Sequence, residues 1–259
     1  MSSTNYSFTT ALVTGGGGGI GKALSAQLIR DGKKVLLAGR TESNLQSTAR
    51  EIGAAGYYVL DTGDISSIPS FIAKVVADHP DLDCLINNAG VQRPLDVNKD
   101  EAQPFVQKAD QEIDINIRGP MHLTLHLLPH LRTKPHALIV NISSVLGFVP
   151  FSIINPVYNG TKAWVHFWSM ALREQLKESS VSVVEIAPPT VATDLHRERE
   201  DPDDNKKEKN QGALSVDEFV DEVRGKWRAG SEMIGAGMAD GIVREWEGGM
   251  GRVFAEKVK

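Results

Sequence analysis

The feature that most constrains this chain is a succession of short aliphatic runs separated by stretches of helix length. Ala11-Leu12-Val13-Thr14, Val35-Leu36-Leu37-Ala38, Tyr57-Tyr58-Val59-Leu60, Cys84-Leu85-Ile86, Leu138-Ile139-Val140-Asn141-Ile142 and Val181-Ser182-Val183-Val184-Glu185-Ile186 make six strand candidates. Most do not alternate polar with apolar, so each strand is expected to be covered on both faces, as in a parallel sheet packed between helices. The pattern predicts an α/β fold with a doubly wound parallel sheet in three layers, α/β/α. A length of 259 residues allows one large α/β domain or two small ones. No repeat and no linker interrupts the chain before residue 195, so a single domain over 1–259 is the expectation.

Between the first two runs, Ile20, Leu24 and Leu28 recur at i, i+4 and i+8, the stripe of a helix lying on a sheet, and Gly32 stops it. Further helices are expected over residues 42–52, from near Ser67 with Pro69 in the first turn, and over residues 157–177. Residues 105–131 carry Ile113, Ile117, Leu123, Leu127 and Leu131 on a helical spacing, with a kink expected at Gly119-Pro120. In residues 196–210 eleven of the fifteen side chains are charged. We read residues 196–214 as a charged segment, either a solvated loop or a lid over a site. Ser215 and Glu218 have the spacing of a capping box that opens a helix through about Arg228. A glycine-rich stretch, 235–251, gives no pattern, and residues 215–259 are read as a C-terminal helix and tail.

The net charge of −5, from 28 basic and 33 acidic residues, argues against nucleic acid as a partner. Cys84 is the only cysteine, which excludes an internal disulfide and a cysteine-rich metal site; no metal is expected. Residues 1–9 form a polar N-terminal tail without the basic start and apolar stretch of a secretory signal. No uncharged apolar run approaches the roughly 18 residues that span a bilayer. A cytoplasmic protein with no membrane partner is the expectation.

Thr14-Gly15-Gly16-Gly17-Gly18-Gly19-Ile20-Gly21 joins the first strand to the first helix. Glycines let the backbone approach a pyrophosphate closely, and a helix N-terminus offers free N–H groups and partial positive charge. About 20 residues on, a site for NAD usually places an acid against the ribose 2′-hydroxyl. Gly39-Arg40 stands there instead. A guanidinium cannot accept that hydrogen bond but pairs with a 2′-phosphate, so NADP(H) is expected over NAD(H). Asp64-Ile65 after the third run and Asn87-Asn88-Ala89-Gly90 after the fourth are turn formers where the sheet edge should face a ligand. Asn116 lies in an apolar helical stretch, where a buried amide needs partners.

At the end of the fifth run stands Asn141-Ile142-Ser143-Ser144, followed by Tyr158-Asn159-Gly160-Thr161-Lys162. Tyrosine and lysine at i and i+4 share one helix face. A nearby ammonium favours the phenolate, and lowering a tyrosine by about three units from ~10 takes roughly 4 kcal/mol. Lys162 together with a cationic nicotinamide has the charge to supply it. Such a tyrosine serves as general acid in carbonyl reduction and as general base in alcohol oxidation, with a serine hydroxyl holding the substrate oxygen.

Over residues 11–195 the chain resembles the short-chain dehydrogenase/reductase (SDR) family, single-domain Rossmann-type oxidoreductases. The resemblance rests on Thr14-Gly15-x-x-x-Gly19-Ile20-Gly21, Asn87-Asn88-Ala89-Gly90 and Tyr158-x-x-x-Lys162. It implies that Gly15, Gly19, Ile20, Gly21, Arg40, Asp64, Ile65, Asn88, Ala89 and Gly90 contact cofactor. It further implies that Lys162 binds the nicotinamide ribose and lowers the Tyr158 pKa, that Asn116 maintains a water-linked relay, and that Ser144 positions substrate. The spacing from Ser144 to Tyr158 is one residue longer than usual, so Ser143 is the alternative. Pro188-Pro189-Thr190-Val191-Ala192-Thr193 resembles the family's nicotinamide loop, with Pro188, Val191 and Thr193 as contacts and Pro189 in place of glycine.

Phe148, Val149, Phe151 and Leu195, with His196 beside them, are the expected pocket residues. Their mostly apolar character suggests a small apolar carbonyl or alcohol substrate. The resulting expectation is an NADP(H)-dependent oxidoreductase acting on a ketone or secondary alcohol. The alternatives are an NADPH-binding sensor or scaffold without turnover, and a non-redox reaction on the same scaffold. By resemblance the chain forms a homodimer or homotetramer through helices within 111–131 and 157–177.

Overall fold

The computed structural model describes residues 6–258; residues 1–5 of the expected tail lie outside the described residues. Seven parallel strands form one sheet in the order β3-β2-β1-β4-β5-β6-β7. They are β1 (Thr10–Thr14), β2 (Lys34–Gly39), β3 (Gly56–Val59), β4 (Cys84–Asn87), β5 (Ala137–Ile142), β6 (Val181–Ala187) and β7 (Met233–Gly235). The helices are α1 (Gly19–Arg30), α2 (Glu42–Ile52), α3 (Ile68–Asp78), α4 (Ala102–Ile113), α5 (Gly119–Leu131), α6 (Pro156–Leu176), α7 (Val216–Arg228), α8 (Met238–Trp246) and α9 (Arg252–Lys257).

The unalternating strands have the physical basis the sequence suggested. Ala11 and Val13 of β1 join a core with Leu24 and Leu28 of α1 and Phe219, Val223 and Trp227 of α7. Leu12, between them, points into a second core with Ile68 and Ile72 of α3, Leu123 and Leu127 of α5 and Leu172 of α6. One apolar run thus feeds two cores, and each layer of helices covers one face. Strand order reverses between β1 and its two neighbours, β2 and β4. A ligand crevice is expected outside the carboxyl ends of strands at such a point.

Three differences from the sequence reading have local causes. The seventh strand lies in the segment just ahead of the glycine-rich tail; it is three residues long and pairs at the sheet edge, Glu185 to Met233 and Ala187 to Gly235. Too short to show a pattern, it is specified by its partner β6. The helix at residues 102–131 passes Gly119-Pro120 by widening into a π-helical turn at Asp114–Arg118, which absorbs the lost proline N–H one turn earlier than the expected kink. The described part of the N-terminal tail is docked: Tyr6 and Phe8 are buried, and Tyr6 meets Trp227 edge-on at 5.1 Å. The Ser215–Glu218 capping box is formed in both directions at the start of α7.

Candidate active site

Residues following β1 to β6 converge on one cleft of about 660 Å³. Gly15, Gly17, Gly18, Gly19 and Ile20 line it. Gly15 has φ +65°, and a Cβ there would lie 2.8 Å from Asn88 Nδ2. Gly21 stands behind the lining, where a Cβ would come within 2.4 Å of the Gly15 carbonyl oxygen. The turn is braced from β4: Asn88 Nδ2 donates to the Thr14 carbonyl at 2.8 Å, and the N–H groups of Asn88 and Ala89 both donate to Thr14 Oγ1 at 3.0 Å. No side chain caps the start of α1, so its first N–H groups are turned to whatever occupies the cleft. A side-chain-free cradle at a helix N-terminus fits the pyrophosphate of a dinucleotide.

Arg40, exposed at the end of β2, lines the same cleft beside Asn44. At the next corner the lining is Leu60, Asp61 and Thr62. Asp64 and Ile65 lie beyond it, in and just before a 3₁₀ turn at Ile65–Ser67; the expected contacts are displaced by the Asp61–Gly63 turn, in which Asp61 Oδ1 accepts the Gly63 N–H at 2.9 Å. Ala89 and Gly90 complete this wall.

The opposite wall carries Ser143, Ser144, Tyr158 and Lys162. Only one serine is disengaged from the sheet. Ser143 donates to Glu185 Oε1 at 2.5 Å, and the same carboxylate meets His166 Nδ1 at 2.9 Å. Ser144 accepts the Leu146 N–H at 3.2 Å and lies against the Tyr158 hydroxyl, where its hydrogen bond favours the phenolate. Lys162 Nζ donates to the Ile142 carbonyl at 2.8 Å and sits 5.5 Å from the centre of the Tyr158 ring. Burial pushes the Lys162 ammonium down to about 8 and raises the Tyr158 phenol well above its usual value. The expected lowering of the tyrosine is not what this environment produces: desolvation outweighs every favourable charge. A phenol held protonated is suited to donating its proton.

Asn116, within the π-helical turn, is fully engaged. Its Oδ1 accepts the Val91 N–H and its Nδ2 donates to the Val91 carbonyl, both at 2.9 Å, and Nδ2 also reaches Thr161 Oγ1 at 3.1 Å. It pins the loop after β4 to α6 just ahead of Lys162. Asn87, the first residue of the Asn-Asn-Ala-Gly motif, faces the interior and donates to Asn141 Oδ1 and Thr124 Oγ1.

After β6, Pro188, Pro189, Thr190, Val191 and Thr193 line the cleft, and Val145 N–H holds the Pro188 carbonyl at 2.9 Å. Of the expected pocket residues, Phe151 and Leu195 line the cleft. Phe148 and Val149 do not: Phe148 packs against His166 with ring centroids 4.1 Å apart and planes tilted by 42°, and Val149 is half exposed. His196, expected beside them, lines the cleft too. Polar residues that the sequence did not single out stand with it: Gln92, Arg197, Arg199 and Asp204. Arg199 donates to Gln92 and Asn155, each at 2.8 Å, and to Asp204 at 2.7 Å. Part of the segment 196–214 is thus tied to the cleft wall through Arg199, while Glu200, Asp201 and Asp203 stay exposed.

A crevice of this construction belongs to the nicotinamide-dependent Rossmann oxidoreductases. The family profile of short chain dehydrogenases matches residues 9–204, and the chain belongs to that family of oxidoreductases. It is 37% identical over 192 residues to the uncharacterized oxidoreductase DltE of Bacillus subtilis (strain 168), covering 74% of this chain and 75% of that one. With the NADP-dependent 3-hydroxy acid dehydrogenase YdfG of Escherichia coli (strain K12) it shares 32% over 217 residues, 82% and 86% of the two chains. The closed form of serine dehydrogenase complexed with NADP+ superposes with a TM-score of 0.76 at 28% identity, over 88% of this chain and 94% of that one. Among the described residues no helix is long and apolar enough to cross a membrane.

Proposed function

We propose that this chain is an NADP(H)-dependent carbonyl reductase or secondary-alcohol dehydrogenase with Tyr158 as its acid–base group. The observation that carries the reading is the meeting of Ser144, Tyr158 and Lys162 on one wall of a cleft whose other wall is the glycine turn. The glycine turn and the start of α1 would hold the pyrophosphate, Arg40 the 2′-phosphate, and Pro188, Val191 and Thr193 the nicotinamide end. A bound reduced nicotinamide supplies the hydride.

Ser144 orients the substrate oxygen, and Tyr158, held protonated by burial, donates its hydroxyl proton to that oxygen as negative charge develops there. The buried Lys162 ammonium stabilises the phenolate left behind. Asn116 keeps the wall of the Lys162 pocket in place. In alcohol oxidation the same groups run in reverse, with the phenolate as base.

A second reading of the substrate rests on Arg199, His196 and Gln92 at the mouth. A partly buried guanidinium whose Nε has no partner, in a lining shared with apolar Phe151 and Leu195, suits a carboxylate borne close to the reacting carbon, which accords with a 3-hydroxy acid dehydrogenase and a serine dehydrogenase among the similar proteins. The cytoplasm is the proposed location and a homo-oligomer the proposed assembly.

Titration with NADPH and NADH, followed by nicotinamide fluorescence, tests the cofactor. NADPH should bind more tightly, and Arg40→Asp should reverse or abolish that preference; an unchanged ratio sinks the role of Arg40. Turnover is then measured on apolar ketones and on 3-oxo and 3-hydroxy acids. Consumption of NADPH on either panel supports the reductase reading and separates the two substrate classes, whereas binding without turnover on both favours a sensor.

A further inference from the structure

One charged side chain beside the site has no place in the mechanism above. Glu112, in the last turn of α4, is completely buried, and neither carboxylate oxygen has a hydrogen-bond partner. The Arg93 backbone N–H approaches it without reaching hydrogen-bond geometry. An unpaired buried carboxylate costs several kcal/mol, and glutamine or leucine would fill the same volume at lower cost. A group kept against that cost is a candidate for function.

Its surroundings are specific. Arg93 donates through Nη2 to Gln111 at 2.7 Å, which lays its guanidinium along the turn that carries Glu112, while Arg93 Nη1 is buried without a partner. One turn after Glu112, Asn116 clamps Val91 and Thr161. A Cβ on Gly90 would lie 3.3 Å from Asn116 Oδ1 and 3.7 Å from Lys162 Nζ, so the ammonium and the amide face one point. The charged and titratable groups acting on Glu112 are Arg93 and Glu198 from the loops after β4 and β6, and Lys162 and Tyr158 from α6. Unpartnered donor and acceptor atoms in one buried cluster are the signature of a site for internal water.

We propose that Glu112 is the proton reserve of the site, a positioning residue that reloads Tyr158 through Lys162 and intervening water. The inference rests on the acid–base role of Tyr158 proposed above. In reduction the Tyr158 O–H bond breaks and the substrate O–H bond forms. The phenolate is reprotonated from the Lys162 ammonium, Lys162 takes the proton of the Glu112 carboxyl, and Glu112 is reloaded from solvent water past Arg93 and the partly exposed Glu198. Each turnover consumes one hydride from the reduced nicotinamide and one solvent proton. Burial lifts the Glu112 carboxyl to about 7, where it can both hold and release a proton near neutrality.

Two readouts test this, one of them independent of turnover. Infrared pH-difference spectra of the chain without cofactor should show a protonated-carboxyl band that titrates near neutrality and is missing from Glu112→Gln. In turnover, Glu112→Gln should lower kcat for reduction about tenfold and erase the near-neutral inflection of the kcat profile. KM and NADPH affinity should stay unchanged, and Glu112→Asp should recover part of the rate. A carboxyl that titrates in the ordinary range, or a Glu112→Gln profile superimposable on that of the parent, overturns the proposal. Should Glu112→Gln not fold, a Glu112→Asp band shifted from the parent's supports the assignment and an unshifted band refutes it. If the parent reduces no carbonyl with either nicotinamide, the proposed function falls, and the infrared titration alone decides whether Glu112 holds a proton.

Discussion

Ser143 and Ser144 are adjacent, yet the sheet gives them different work. Ser143 faces Glu185 and His166, so Ser143→Ala should cost about 1 kcal/mol of stability by removing one of the two partners of the buried Glu185 carboxyl, with little change in kcat at temperatures where the variant is folded. Ser144→Ala should leave the melting temperature nearly unchanged and lower kcat about 100-fold. Denaturant melts and steady-state rates on both variants check the pair, and reversed effects would exchange their roles. Glu112 makes a pH-dependent prediction. Burial lifts its folded pKa to about 7, above the ordinary glutamate value of 4.5, so its contribution to stability is present below the unfolded pKa and lost as pH rises through about 7. Glu112→Gln removes that loss, and the variant should gain on the order of 3 kcal/mol over the parent between pH 5 and pH 8. Urea midpoints at the two pH values check it. Ser144, Tyr158, Lys162 and Asn116 were legible in the sequence because their types and spacing carry chemistry. Glu112 was not, because a glutamate beside Asp110 and Gln111 reads as solvated surface until α6 covers it.

Elements differ in how much of their form is local. Helix α2 was readable to the residue, and α3, α6 and α7 nearly so, because caps, prolines and apolar spacing lie within each segment. The β7 edge was not, since three residues carry no period and only pairing with β6 defines them. The segment 196–214 was half legible: its charge was plain, but its attachment was not. Charged residues that suggested solvent are spent on Arg199 with Gln92 and Asn155, and on Glu198 with Arg93. Arg199→Ala should therefore free the segment, raising KM for an acidic substrate about tenfold and speeding proteolysis within 196–214 several-fold. Limited proteolysis with and without NADPH is the direct measurement, and equal cutting of parent and variant would show that these bonds do not hold the segment down.

At the scale of the molecule, the two cores make the sheet a common wall, so a fault on either face reaches the site at its edge. Helices α5 and α6 share the core that contains Leu123, Leu127, Leu172 and Leu176, yet Leu125 and Phe167 stand 53% and 60% exposed on them. Large apolar side chains in water on neighbouring long helices suit a second copy of the chain. Phe167→Glu together with Leu125→Glu should convert the sedimenting species to a monomer without unfolding it. A parent that already sediments as a monomer would remove the assembly from the proposal.

The brace between Asn88 and Thr14 has a consequence in time as well as in space. Because β4 holds the glycine turn from behind, the cradle stands in its receiving shape before any nucleotide arrives, and association needs no prior ordering of the loop. On rapid mixing with NADPH the observed rate should then climb linearly with nucleotide concentration. Asn88→Ala would release the turn and introduce a ceiling, at which the protein's own rearrangement rather than encounter sets the pace.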